Sequence, residues 1–409
     1  MEEIKIKNYA KLIAEVGANI QKGQEVNLTI NVDASYFAKY IIEACYLAGA
    51  KKVNVDWEYD DGVILDTKYA DKERMSHLTK YEIARQEYNV ENEPVRIWIE
   101  SDSPNALDGI DIKKYSEERG SIRKEIKKYR DIYDDKCQWC IAGVPSLKWA
   151  RVVYPNLNDD EAVETLFETI LKVSRAYDGD PIENWKEHDK NLQRHMKLLN
   201  DLDLKSLHYT SRNGTDLYVE LMDDVIWEAG GEKTKGKEIY FQPNIPTEET
   251  FTSPNRLKTE GVVFSSKPLS YNGNIIDDFC IRFHEGKAVE VHATVGADLL
   301  KEMIMTDENS GYLGECALVP FHSPINDTKT LFFSTLYDEN AACHLALGMS
   351  FKNLYAGKKE LTPKEFLEYG FNDSVIHVDF MIGTDDLNIE GTTKDGRKVM
   401  IFKDGDWAI

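Results

Sequence analysis

Val26, Leu28, Ile30 and Val32 alternate with Asn27, Thr29 and Asn31, and a period of two marks an extended strand, whose side chains point to opposite faces in turn. Asp33 is then placed to cap a helix that gathers Phe37, Ile41, Ala44, Cys45 and Ala48 on one face, with Gly49 set to end it. Val53 and Val55 open a second strand. Strand, helix and strand in succession favour parallel pairing through a right-handed crossover, so this end of the chain is expected to fold as an α/β layer.

The same alternation continues through Val95-Arg96-Ile97-Trp98-Ile99, a charged helix and a strand around Trp139-Cys140-Ile141. The helix, Lys113 to Arg130, is rich in Lys and Arg. Tyr115 and Tyr129 alone make no interleaved aromatic platform, and no nucleic-acid motif accompanies them, so it reads as a solvated face rather than a nucleic-acid surface. No GxGxxG or GxxxxGK[ST] occurs, so the layered shape implies no nucleotide. Cys137-Gln138-Trp139-Cys140 matches CxxC, but positions i and i+3 of a strand face opposite sides, which favours a structural role.

Val163, Leu166, Phe167, Ile170 and Val173 recur at helical spacing, and a second helix is expected from Glu183 to Leu202. Beyond Leu204 the texture changes to short strand-like runs, such as Asp216 to Glu220, Gly261 to Phe264 and the closing Gly391 to Ile409. The expected fold class is therefore α/β: residues 1–205 form an N-terminal α/β domain with a mostly parallel sheet, and residues 206–409 a β-rich α+β domain.

Composition narrows the function. Fifty basic against 72 acidic residues give a net charge of −22, which repels polyanions and argues against nucleic acid. No apolar run approaches the roughly 18 residues that a membrane helix needs. The charged start Met1-Glu2-Glu3-Ile4-Lys5 lacks the features of a secretory signal, and six scattered cysteines suit reduced thiols, so the expected compartment is the cytoplasm.

The segments that carry chemistry lie in the second half. In Ser374 to Ile382, Ile376, Val378, Phe380 and Ile382 form one strand face, while His377 and Asp379 lie side by side on the other. A buried carboxylate without a partner is very costly. Either a divalent cation satisfies this pair, or the two are exposed on an edge strand, or they bond to each other. His344 sits in Asp338 to Gly348, which reads as a short capped helix. A lone histidine there fits a satisfied core residue as well as a ligand. Glu315 leads into an apolar strand, and Glu249 lies in the proline-bracketed loop Asn244 to Pro254.

The segments Asn244 to Pro254, Gly314 to Pro320, Asp338 to Gly348 and Ile376 to Thr384 resemble the metal-site motifs of the aminopeptidase T family of metallopeptidases, and Tyr9 to Trp57 is similar to the same family. The resemblance spans essentially the whole chain. It implies metal ligands at Glu249, Glu315, His344, His377 and Asp379, with Glu315 bridging two divalent ions. Glu249 rather than Glu248 matches the family acid two residues before the Phe of Phe251-Thr252. Neutral imidazoles favour zinc or cobalt over magnesium.

The implied activity is a metallo-aminopeptidase that cleaves peptides with a free N-terminus, using a water or hydroxide between the ions. Glu315 is the expected catalytic carboxylate, and Glu339 and Glu248 are candidates for the general base because they adjoin ligands. The family often has tyrosine where this chain has Phe351, so a role for that hydroxyl is in doubt, and Tyr355 is nearby only in sequence. A closed homodimer is the implied assembly. Two other readings share the residues: a metal-dependent hydrolase of another amide or ester, and a metal-binding relative without activity.

Overall fold

The computed structural model describes every residue except 1, 102, 103, 105, 108, 272, 273 and 358–360. It contains two compact units, one made of Met1–Glu187 with Gly231–Pro246, the other of His188–Gly230 with Thr247–Ile409.

The first unit is built on a parallel sheet. Its order is Trp139–Gly143, Val95–Glu100, Glu25–Asn31 and Lys52–Glu58, with Asn244–Ile245 adding a short fifth strand beside Trp139–Gly143. The helix Ser35–Ala48 makes the first crossover and ends at Gly49, whose φ of 112° is a left-handed conformation that suits glycine. Its start differs from expectation. Asn31, not Asp33, supplies the capping oxygen, accepting the Asp33 N–H at 3.0 Å. A 3-10 turn over Val32–Ala34 follows, so the helix begins at Ser35, one residue later than an Asp33 cap would place it. The charged stretch lies in the helix Ile112–Tyr133. Cys137 and Cys140 are both buried, and burial pushes both thiols up, away from the thiolate that redox or metal chemistry needs.

The second unit carries two antiparallel sheets, of nine and five strands. The smaller one positions the chemistry. Its order is His377–Met381, His344–Gly348, Leu313–Leu318, Thr250–Thr252 and Glu228–Ala229. One hydrophobic cluster joins Cys316, Leu318, Leu345, Leu347 and Phe380 from this sheet to Leu207, Leu217, Val219 and Phe283 from the larger one. Alternation does the sorting: every second residue of His344–Gly348 and His377–Met381 enters this core, and the residues between them face the other way. Phe380 is the largest side chain that the strand His377–Met381 sends inward, and its ring lies 5.8 Å from that of Phe279. Phe380→Ala should cost about 3–5 kcal/mol of folding stability, measured by urea unfolding.

Candidate metal centre

Register brings the expected residues together. Glu315 pairs with Ala346, and Ala346 with Asp379, so two carboxylates flank one methyl group across three strands. His377 pairs with Gly348 and His344 with Met381, placing both imidazoles on the same face as that row. Glu249 immediately precedes the strand Thr250–Thr252, which pairs with Leu313–Leu318.

Glu315 reaches this face only through a bulge. Leu313 pairs with Leu347 and Glu315 with Ala346, so Gly314 is an extra residue in its strand. In a regular strand Glu315 and Leu313, two positions apart, would point the same way, into the hydrophobic core. One inserted residue turns the carboxylate to the opposite face. Gly314 also has no room for a side chain, since a Cβ there would lie 2.2 Å from the Met349 carbonyl and 2.4 Å from that of Gly348. Gly314→Ala should therefore displace Glu315 and lower kcat/KM by about a hundredfold, the scale of a 1 Å misplacement, measured on a fast peptide substrate.

The distances are those of ligands around a cation. His377 Nε2 lies 3.1 Å from Glu315 Oε2 and 3.2 Å from Asp379 Oδ1, and His344 Nε2 lies 3.2 Å from Glu249 Oε2. Among the described residues, Glu249, Glu315 and His344 form one group, and Glu315, His377 and Asp379 a second, each with its ligand atoms within 4.8 Å of one another. Glu315 belongs to both. Each histidine is oriented through its other nitrogen: His377 Nδ1 lies 2.8 Å from the Met349 carbonyl and His344 Nδ1 3.3 Å from that of Ala342. A Nδ1–H donated to a carbonyl aims Nε2 at the cluster, which is the usual support for a metal-binding imidazole.

Electrostatics give the same picture. Burial, with the charges of Glu249 and Asp379, pushes the Glu315 carboxyl up to about 7 although it accepts a hydrogen bond from His377. Burial also raises Glu339 well above the carboxylate range, reinforced by Asp379, Glu249 and Glu315. His344 is held up to about 10, because Glu249 and the other carboxylates outweigh the cost of burying its charge. Burial acts against ionised Asp379 too, but His377 and then His344 hold it below its ordinary value. Asp379 Oδ1 is buried, with the His377 ion pair at 3.2 Å but no hydrogen bond of good geometry. A compact group of four carboxylates and two imidazoles with an unsatisfied oxygen is a donor set that suits divalent cations.

The neighbours correct several expectations. His344 is not on a helix. The turns Thr335–Asp338 and Glu339–Ala341 stop before it, Ala342 is fully extended, and His344 opens a strand. That strand is buried on both faces, so its apolar run lacks the alternation that distinguishes strand from helix. Glu248 and Glu249 diverge, with Glu248 Oε2 3.8 Å from His188 Nε2 while Glu249 meets His344. Glu339 lies among the charges of the cluster. Asn340 has no counterpart in the expected set. It is fully buried and accepts the Glu248 N–H at 2.7 Å, tying the loop before Glu249 to the turn that carries Glu339. The Phe351 ring stands 4.9 Å from the His377 ring, so an apolar edge borders the cluster there, and Tyr355 packs on Tyr369 and Phe371 instead.

Comparison with known proteins gives the family. The family model described as thermophilic metalloprotease (M29) matches residues 2–407. The chain is 40% identical over 406 residues to aminopeptidase AmpS of Bacillus subtilis, covering 99% of this chain and 98% of that one. It is 37% identical over 407 residues to aminopeptidase PepS of Streptococcus thermophilus, with the same coverage. Its fold matches the structure of wild-type AmpT from Thermus thermophilus with a TM-score of 0.92 at 32% identity, over 100% of both chains. No helix among the described residues is long and apolar enough to cross a membrane. The chain belongs to the thermophilic metalloprotease family M29 and is a peptide hydrolase.

Proposed function

We propose that the chain is an aminopeptidase that holds two divalent ions, one between Glu249 and His344, the other between His377 and Asp379, with Glu315 shared. The observation that carries this reading is the pair of overlapping ligand groups joined at one carboxylate. Charge supports the count: with neutral imidazoles, the four carboxylates Glu249, Glu315, Glu339 and Asp379 carry the formal charge that two dications neutralise. Imidazole ligands favour zinc or cobalt.

When bound, such ions lower the pKa of water towards about 7 and polarise a carbonyl. The protein's own groups do the rest. His344 and His377 are fixed through their Nδ1 atoms, so little reorganisation is needed. Glu339, whose carboxyl lies among the charges of Asp379, Glu249, His344 and Glu315, is assigned the proton transfer. It accepts a proton from the attacking water and returns it to the departing amine. Cleavage at the free N-terminus of a peptide is the specificity assigned. The names of the similar proteins, all aminopeptidases, support the same substrate class. All the assigned ligands fall in residues 206–409, the part assigned as the catalytic domain. A homodimer follows from the family resemblance, and six free cysteines fit a reducing cytoplasm.

The test is hydrolysis of aminoacyl-p-nitroanilides with and without an N-acetyl block, before and after chelation. Release confined to unblocked substrates, lost on chelation and restored by zinc or cobalt, is expected. Equal cleavage of acetylated substrates would replace the reading with a general amide or ester hydrolase, and inert but metal-loaded protein with a binding role.

A further inference from the structure

The first unit contains a cavity with polar walls. A parallel sheet is normally apolar on both faces, and here only one face is, with Val26, Leu28, Ile30, Ile97 and Ile99 buried along it. The opposite face carries Asn27, Thr29, Asp56, Arg96, Trp98 and Trp139, aligned by the pairings Thr29 with Asp56 and Trp98, Asn27 with Arg96, and Arg96 with Trp139. The helices Lys80–Asn92 and Ile112–Tyr133 contribute the other walls of a cavity of about 760 Å³. That volume is within the usual range for a small-molecule site, about 300–1,000 Å³.

The polar groups here are incompletely satisfied. Asn89 is only 7% exposed, and its side-chain oxygen accepts from Asn27 Nδ2 at 3.2 Å. Asn89 also lines the cavity. Arg96 Nη1 holds Asp134 at 2.9 Å, but its Nε is buried without a hydrogen bond. Asp134 is shared with Arg130, whose Nε lies 3.0 Å away, and Arg85 is paired with Asp56. Three guanidinium groups thus meet two carboxylates, leaving one positive charge over. Trp98 and Trp139 add flat apolar surfaces beside it.

We infer that this cavity binds a small carboxylate with a flat apolar body, the carboxylate on Arg96 and Asn89 and the body against Trp98 and Trp139. A single excess charge and a guanidinium fork suit a planar monoanion better than a phosphate, which carries up to two charges. The site is separate from the proposed metal ligands in sequence and lies wholly within the other unit.

Calorimetric titration of the metal-loaded protein with indole-3-acetate and 3-phenylpropionate, each beside its primary amide, tests this. The acids should bind about tenfold or more tightly than the amides. Arg96→Gln and Trp98→Ala should each weaken acid binding by a similar factor, while Glu315→Gln leaves it unchanged. If Arg96→Gln fails to fold, Trp98→Ala, which alters no charge, decides alone. No binding by the unaltered protein, equal binding of acid and amide, binding undiminished in the cavity variants, or binding lost in Glu315→Gln would overturn the inference.

Discussion

Glu315→Gln should lower kcat/KM by about a thousandfold or more, a loss of at least roughly 4 kcal/mol of transition-state stabilisation, while the protein stays folded. Glu315 is the one side chain common to both ligand groups. An amide at that position keeps the shape and can still accept from His377 Nε2, now 3.1 Å from Oε2, but it carries no charge and bridges cations poorly. Stability should move the other way in the metal-free protein. A carboxyl raised by burial to about 7 costs nothing where it is protonated in both folded and unfolded chains, and its full cost appears once pH exceeds the folded value. Glutamine removes that cost, so metal-free Glu315→Gln should melt at or above the unaltered metal-free chain near pH 8, and should gain little from added metal. A variant that lost activity by unfolding would show the reverse.

Exhaustive chelation should abolish hydrolysis and lower the melting temperature. A ligand at about a hundred times its Kd contributes roughly 2.7 kcal/mol to the folded state. Zinc or cobalt should restore both properties. The pH dependence has a definite sign. In the metal-free fold His344 is held up to about 10 and His377 is also raised, so at neutral pH both imidazoles carry protons that a metal must displace. Those charged imidazoles stabilise the metal-free chain fully below the ordinary histidine range, and that contribution fades as pH rises through the folded values. Metal affinity should therefore weaken by about tenfold per pH unit on acidification for each proton displaced. The melting gap between loaded and metal-free protein should narrow between about pH 8 and about pH 6.

How much of this was legible in the sequence depends on whether periodicity survives burial. The strand at Glu25–Asn31 and the one carrying His377 and Asp379 each have one face that differs from the other, and a period of two is visible in both. His344 reads as helical because its strand is buried on both sides and has no polar stripe to count. Local spacing also hid the orientation of Glu315, which depends on a single extra residue at Gly314 and on carbonyls more than 30 positions away. The cap of the helix Ser35–Ala48 failed for a smaller reason, since Asn31 and Asp33 both suit a cap and only the backbone chooses. The role of Asn340, a hydrogen bond across 92 positions, leaves no pattern in the chain at all.

The most direct measurement is anomalous diffraction from crystals grown with zinc, recorded on both sides of its absorption edge. Two peaks per chain are expected, one bounded by Glu249 and His344 and one by His377 and Asp379, with Glu315 touching both. A single peak at full occupancy, or peaks held by other residues, would contradict a shared-carboxylate pair of ions as the basis of catalysis.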